Sequence, residues 1–352
     1  MQSNNCEFSE VADREVNHPD GDHSPPPVCT PASPTARFPD LLARDSGTWR
    51  IFLASVRKLA GQKYYWSPVR FLHLVSRLAR NLPAQIEILR ILSCPAYKQL
   101  MKVNPRFPLK YLGLDYLARG LTVEQQAECF IHHYRRLTDL LTEDVLVQVL
   151  FEDLLLDEIR EAGDCFTVRM CLSRPWDYEG ELSLNLEVNG VVVFVLSFTI
   201  VPGSIVQSEA HEVVLVSRLQ GVRGYFDEIR RATKAMCDVA PPALLFAALC
   251  GVAEAFGIRA MAGITGVMKP EFHFCEGETI HIQQAYDGFF AELGAIKGPA
   301  DFYLAPMPPE EKPLASIRQG HKIRTRNKRA FKREVARRIH SLLCDVLHPR
   351  SE

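Results

Sequence analysis

The chain has 352 residues, 41 lysines and arginines against 42 aspartates and glutamates, and 47% hydrophobic side chains. At roughly 100–200 residues per domain this suffices for about two domains with a substantial core, and a formal net charge of -1 excludes a global pull toward nucleic acid or membrane. Ten cysteines, none in a C-x-x-C pair, argue against a zinc site or a secreted disulfide framework and fit reduced thiols in a cytosol.

Residues 1–39 are polar, acidic and proline-rich, with Ser24-Pro25-Pro26-Pro27 and Pro31-Ala32-Ser33-Pro34. Such a stretch buries too little apolar surface to offset the entropy of ordering, so a disordered tail is predicted. It also lacks the charged and apolar regions of a secretory signal, which points to a cytoplasmic protein.

From Trp49 to about Leu156 the period is helical. Phe71, Val75, Leu78 and Leu82 recur at steps of three and four, Pro83 opens the next helix, and Cys94-Pro95 ends it. Thr122 with Gln125 reads as a capping box before the stripe Cys129, Ile131, Tyr134, Leu137, Leu141. Tandem His132-His133 point about 100° apart on that helix and cannot converge on one ion, so packing or hydrogen bonding at a seam is expected and no metal.

The period then changes to two. Asp164–Leu172, Glu181–Val188 and Val191–Val201 read as strands, the last two flanking the hairpin signal Asn189-Gly190. The apolar window Val191–Val206 is broken by Ser197, Thr199, Pro202 and Gly203 and is shorter than the ~20 residues that span a bilayer, so it is assigned as buried strand. Glu212–Ser217 follows as a strand, then a helix over Tyr225–Met236, a helix opened by Pro241-Pro242 and capped at Gly257, and a strand over Ile258–Ile264. A helix over Ile282–Leu293 and a strand at Phe302–Leu304 precede an amphipathic basic helix from Arg324 to Leu347, with Phe331, Val335, Ile339, Leu342 and Val346 as its apolar stripe.

The stretch His211–Gly224 carries most of the chemistry. A strand ending at Gly221 and Gly224 and handing over to a helix leaves backbone N–H groups that suit an anion, with Arg218, Gln220 and Arg223 beside them; a plain strand-to-helix turn is the competing reading. Candidate bases are Glu209, His211, on the face of Val213 and Leu215, and Glu212, on the face of Val214 and Val216; a solvated strand entrance is the alternative. His273 and His281 flank a polar, glycine-containing loop and are candidates for a base or for ligand recognition, or simply exposed. On the basic helix, Lys328, Arg329, Arg333 and Arg337 would meet phosphates of a polyanion or lipid head group, unless that face is merely solvated while the stripe docks on the core.

The order hairpin, strand, glycine turn, helix, strand, helix, with Tyr286-Asp287-Gly288-Phe289-Phe290-Ala291-Glu292-Leu293-Gly294 before a short strand, resembles the acyl-CoA N-acyltransferase (GNAT) fold. That resemblance implies that the glycine turn holds a cofactor pyrophosphate, with acyl-CoA or acyl carrier protein as donor. The spacing departs from the superfamily's: Arg218-x-x-Gly221-x-x-Gly224 is one residue long, and Phe290 stands where a tyrosine often serves as acid, so Tyr286 one turn earlier would have to substitute. The segments Tyr111-Leu112-Gly113-Leu114, His133-Tyr134, Glu179-Gly180-Glu181-Leu182, Leu196-Ser197-Phe198, Leu219-Gln220-Gly221, Arg231-Ala232-Thr233-Lys234-Ala235, Pro242-Ala243-Leu244-Leu245 and Asn327-Lys328-Arg329-Ala330 resemble the bacterial VirK/YbjX family. Membership would imply a cytoplasmic protein linked to virulence, envelope stress or DNA damage response, without a settled activity.

The expected architecture is of the α+β (α/β) class: a tail over 1–39, a helical region over 40–160, a GNAT-like, mixed and mostly antiparallel sheet flanked by helices over 161–305, and a linker with the basic helix over 306–352. A monomer is expected, since no heptad seam appears. Two functions remain open on the sequence, an acyl-thioester-dependent N-acyltransferase using His211, Glu212 or His273, and a non-catalytic stress-response adaptor.

Overall fold

The computed structural model describes residues 46–60, 68–173, 178–269 and 276–347. Its first part is helical: α1 (Ser46–Ala60), α2 (Pro68–Arg80), α3 (Leu82–Ile91), α4 (Pro95–Val103), a 3-10 turn over Phe107–Leu112, α5 (Val123–Leu140) and the short α6 (Glu143–Val147). Prolines open α3 and α4, where a missing N–H costs nothing. The capping box at α5 forms: Gln125 N–H donates to the Thr122 hydroxyl and Thr122 N–H donates to Gln125 Oε1 at 2.9 Å.

The helical reading fails at its end, because Leu154–Glu161 is strand β1. Asp153, left-handed at φ 59°, stops the preceding turn, and Ala162 and Gly163, both at positive φ, fold β1 back on β2 (Asp164–Leu172). Three consecutive leucines fit either period, which hides this strand in the sequence.

Strands β3 (Leu182–Val188) and β4 (Val191–Pro202) are joined by Asn189 and Gly190 at φ 51° and 80°, the hairpin expected from the sequence. β5 (Glu212–Gly221) continues the antiparallel ladder and runs four residues beyond the expected end at Ser217. The chain then leaves the sheet through α7 (Phe226–Ala235) and α8 (Pro241–Phe256), which ends at left-handed Gly257. It returns as β6 (Ala260–Gly263), parallel to β5. After α9 (Glu276–Glu292) come β7 (Ile296–Lys297), β8 (Tyr303–Pro306) and α10 (Lys322–Val346). The strand order is β1-β2-β3-β4-β5-β6-β8-β7, and among the described residues β5–β6 is the one parallel junction.

Helix α8 is apolar on nearly every side and lies between the sheet and α10, so it is core apart from Pro242, Ala243 and the exposed Glu254. A Cβ on Gly251 would come within 2.4 Å of the Ala336 carbonyl oxygen of α10, so glycine sets that close crossing. The expected stripe of α10 is corrected by one position: Val335, Ile339 and Leu343 are fully buried, while Leu342 is 37% exposed. Arg338 fastens α10 to β1 through two hydrogen bonds to Asp157, at 2.9 and 2.7 Å. On β4 packs α5, whose buried Tyr134 and Phe130 join one hydrophobic core with the sheet.

Candidate functional site at the fork between β5 and β6

Parallel pairing of β5 with β6 covers only Val214–Val216 against Met261–Gly263, with Ile264 N–H donating to Val216 O at 3.2 Å. Past that point the strands part. A bulge contributes, since Ser197 and Phe198 of β4 face Arg218 and Val216 and leave Ser217 as the extra residue. Every buried backbone donor beyond the parting needs another partner.

Tyr286 of α9 supplies it. Its hydroxyl oxygen accepts from Leu219 N–H at 2.9 Å and from Lys269 Nζ at 3.1 Å, and its own hydrogen has no acceptor among the described residues and is left to donate. Lys269 Nζ lies 3.3 Å from Glu179 Oε1, Arg218 Nε lies 3.5 Å from Glu179 Oε2, and Ser217 Oγ donates to the Glu179 carbonyl at 2.6 Å. The Glu179 and Lys269 side chains are only 6% and 5% exposed. Burial raises the Tyr286 hydroxyl above the ordinary tyrosine value, and the Lys269 charge pulls it part of the way back. Asp287 accepts from Gly266 N–H at 2.9 Å and pins α9 to the end of β6. Buried nearby in the chain, Thr265 Oγ1 has no hydrogen-bond partner among the described residues.

A second buried carboxylate sits two residues on. Gly180, at φ 140°, has no room for a side chain, since a Cβ would meet Ser197 Cβ at 2.9 Å and Phe198 N at 3.0 Å. Glu181 receives Lys110 Nζ at 3.0 Å and the Tyr134 hydroxyl. His133 Nδ1 accepts from Ile200 N–H at 3.1 Å, and burial together with the Lys110 charge holds that ring well below the ordinary histidine value. Hydroxyls of Ser173, Ser183 and Ser197 form a chain across β2–β4 at 2.7 and 2.8 Å.

His211 and Glu212 lie at the opposite end of β5 from the glycine turn. Ten residues of strand at about 3.3 Å each put roughly 30 Å between the ends, so these candidate bases stand apart from the turn. Glu212 accepts from Arg136 at 2.9 and 2.8 Å and pairs with His132 Nε2 at 3.0 Å, while Arg136 also donates to Phe256 O. Burial would raise this carboxyl, but the His132 and Arg136 bonds outweigh it and hold it below the ordinary value. It is a clamp between α5 and β5. His211 is exposed, its ring 6.2 Å from that of His132; His273 lies outside the described residues and His281 falls in α9.

At the turn itself, Gly221 still pairs with Phe194, and Val222 N–H donates to Val193 O at 2.9 Å. Gly224 is required by its φ of 91°, although the space where a Cβ would stand is open, with nothing within 4 Å. Helix α7 starts without a side-chain cap and carries Asp227 and Glu228 in its first turn, where carboxylates already answer the positive helix end. Arg218 faces Glu179, Gln220 is half-buried and Arg223 is exposed. The turn is therefore open to solvent, with two carboxylates at the start of the helix that follows it. No group of metal-ligand type occurs among the described residues.

Phe290 is core: it stacks on Tyr303 and presses on Gly263, and Tyr286 one turn earlier reaches the fork. Glu179, Lys269 and Ser217 escaped the site reading, although Glu179-Gly180-Glu181 was among the segments of the family resemblance. The available signal was two carboxylates around a glycine just before an apolar strand.

The topology and the buried charge at its parallel junction define a mixed α/β protein with an open, mostly antiparallel sheet. The chain belongs to the family described as protein of unknown function (DUF535), whose model matches residues 63–340 and so takes in the fork, both buried glutamates and most of α10. No curated protein and no solved structure matches it. No helix among the described residues is long and apolar enough to cross a membrane.

Proposed function

We propose that the protein transfers an acyl group from a thioester to an amine at the fork, within the GNAT-like and VirK/YbjX-like reading of the sequence. The observation that carries it is Tyr286, whose hydroxyl accepts from Leu219 N–H and Lys269 Nζ where β5 and β6 part. Ligands of open α/β sheets bind outside the carboxyl ends of strands, where the strand order switches.

In this reading the acceptor nitrogen attacks the thioester carbon, the C–S bond breaks, and the leaving thiolate takes the Tyr286 proton. Lys269 and Leu219 N–H stabilise the tyrosinate, which regains a proton from the acceptor ammonium through solvent. Glu179 is a positioning residue that holds Lys269, and Arg218 in turn pairs with Glu179. The turn Gln220–Gly224 would approach the carrier's phosphate, acyl-CoA or the arm of acyl carrier protein.

Purified protein titrated with acyl-CoAs of several chain lengths and with acyl carrier protein is the test, together with Gly224→Val, checked as folded by circular dichroism. Saturable thioester binding that Gly224→Val weakens is expected. A flat result across donors would move the assignment to a non-catalytic adaptor, which the carboxylates Asp227 and Glu228 at the turn favour, acting through Lys328, Arg329, Arg333 and Arg337 of α10. Arg329 and Arg337 of that set already pair with Glu311 and Glu334. Charge reversal at Arg333 and Arg337 should weaken salt-sensitive binding to polyanions and leave any thioester binding unchanged.

A further inference from the structure

The helical region holds a cavity of about 560 Å³ between α1, α3 and the 3-10 turn over Phe107–Leu112, a volume that suits a small organic ligand. Gln85 of α3 lines it, is 1% exposed, and has neither its amide oxygen nor its amide nitrogen hydrogen-bonded among the described residues. A buried carboxamide left empty on both sides costs free energy, and neighbouring side chains do not relieve it. It asks for a partner that carries both a donor and an acceptor, as an amide does.

The rest of the lining fixes the remainder of the ligand. Arg50, Arg57 and Lys58 of α1 are its charged residues among the described ones, and no acidic side chain is among them. Leu89 and Leu109 are part of an apolar wall. Burial lowers the Lys58 ammonium below the ordinary lysine value, in keeping with a cation set against that wall.

We infer that this cavity binds a small amphipathic acid with a secondary amide next to an apolar chain, the amide on Gln85, the anionic end on Arg50, Arg57 and Lys58, and the chain against Leu89 and Leu109. The site is separate from the fork and does not depend on the transferase reading.

The test uses the full chain and isothermal titration with N-decanoylglycine, its methyl ester, which lacks the charge, and dodecanoate, which lacks the amide. N-decanoylglycine should bind saturably, at least about ten-fold more tightly than either comparison compound. Gln85→Leu should lose that factor for N-decanoylglycine and leave dodecanoate unchanged, while Arg57→Glu with Lys58→Glu should weaken both acids and not the ester. Because Gln85→Leu removes an unsatisfied buried amide, its thermal midpoint should equal or exceed that of the parent, which separates loss of binding from loss of fold. Equal affinity for all three compounds, no saturable binding, or undiminished binding to Gln85→Leu would overturn the inference.

Discussion

The two ends of β5 hold charge in different ways. At its start, Glu212 is gripped by Arg136 and His132 of α5, with every carboxylate bond directed at a neighbouring element. The geometry is bidentate and partly solvated, and its effect is to fasten a helix to a strand. At its far end, Glu179 and Lys269 are almost wholly buried, and the charge converges on a tyrosine hydroxyl that still has a hydrogen to donate. A clamp uses up its hydrogen-bonding capacity, whereas the fork retains some. Burying an ion pair seldom stabilises more than apolar packing would, so the fork calls for a reason beyond stability.

The largest effect should come from breaking the buried pair. Lys269→Met leaves the Glu179 carboxylate with one cation fewer in a dry site, at a cost of about 3–5 kcal/mol by urea unfolding. The double change Glu179→Leu with Lys269→Met should recover much of that loss; additive costs would show that the two charges do not act as a pair.

Glu212→Gln should cost less, about 1–3 kcal/mol, because the site is partly open to water. The carboxyl's value is depressed in the folded state, so its stabilisation is present above the unfolded value of about 4.3 and is lost as pH falls through the lower folded value. The parent should therefore lose more stability than Glu212→Gln on acidification below about pH 4.3; parallel curves would contradict the clamp.

His133 gives an intermediate, pH-controlled effect. Its folded value is depressed by burial, so the unfolded chain takes up a proton first, and stability should fall once pH drops below about 6.5, by up to about 1.4 kcal/mol per unit. In His133→Gln that slope between neutral pH and about pH 5.5 should disappear. At the small end, Arg333→Glu on exposed α10 should change stability by no more than about 0.5 kcal/mol.

Much of the frame could be read from local chemistry. The Thr122 capping box, the Asn189-Gly190 hairpin and the glycine at 257 each act within a few residues, and each stands where the sequence placed it. β1 could not be read, because Leu154-Leu155-Leu156 carries no period and its neighbour β2 is what makes it a strand. The site was less legible for a related reason. Alternation along β5 says which face a residue shares but not which end of the strand meets the other chemistry, so Glu212 looked like a base and is a clamp. Glu179, Lys269 and Tyr286 are far apart in sequence and meet only because β5 and β6 diverge.

The claim that the fork is the working end of β5 is tested most directly by thioester turnover, read as free thiol released per folded molecule, in Tyr286→Phe and Glu212→Gln side by side. Loss of a proton donor should slow Tyr286→Phe by about 10²-fold or more, while Glu212→Gln, corrected for its folded fraction, should stay within about two-fold of the parent. Turnover that survives in Tyr286→Phe, or that falls as far in Glu212→Gln, would contradict the account.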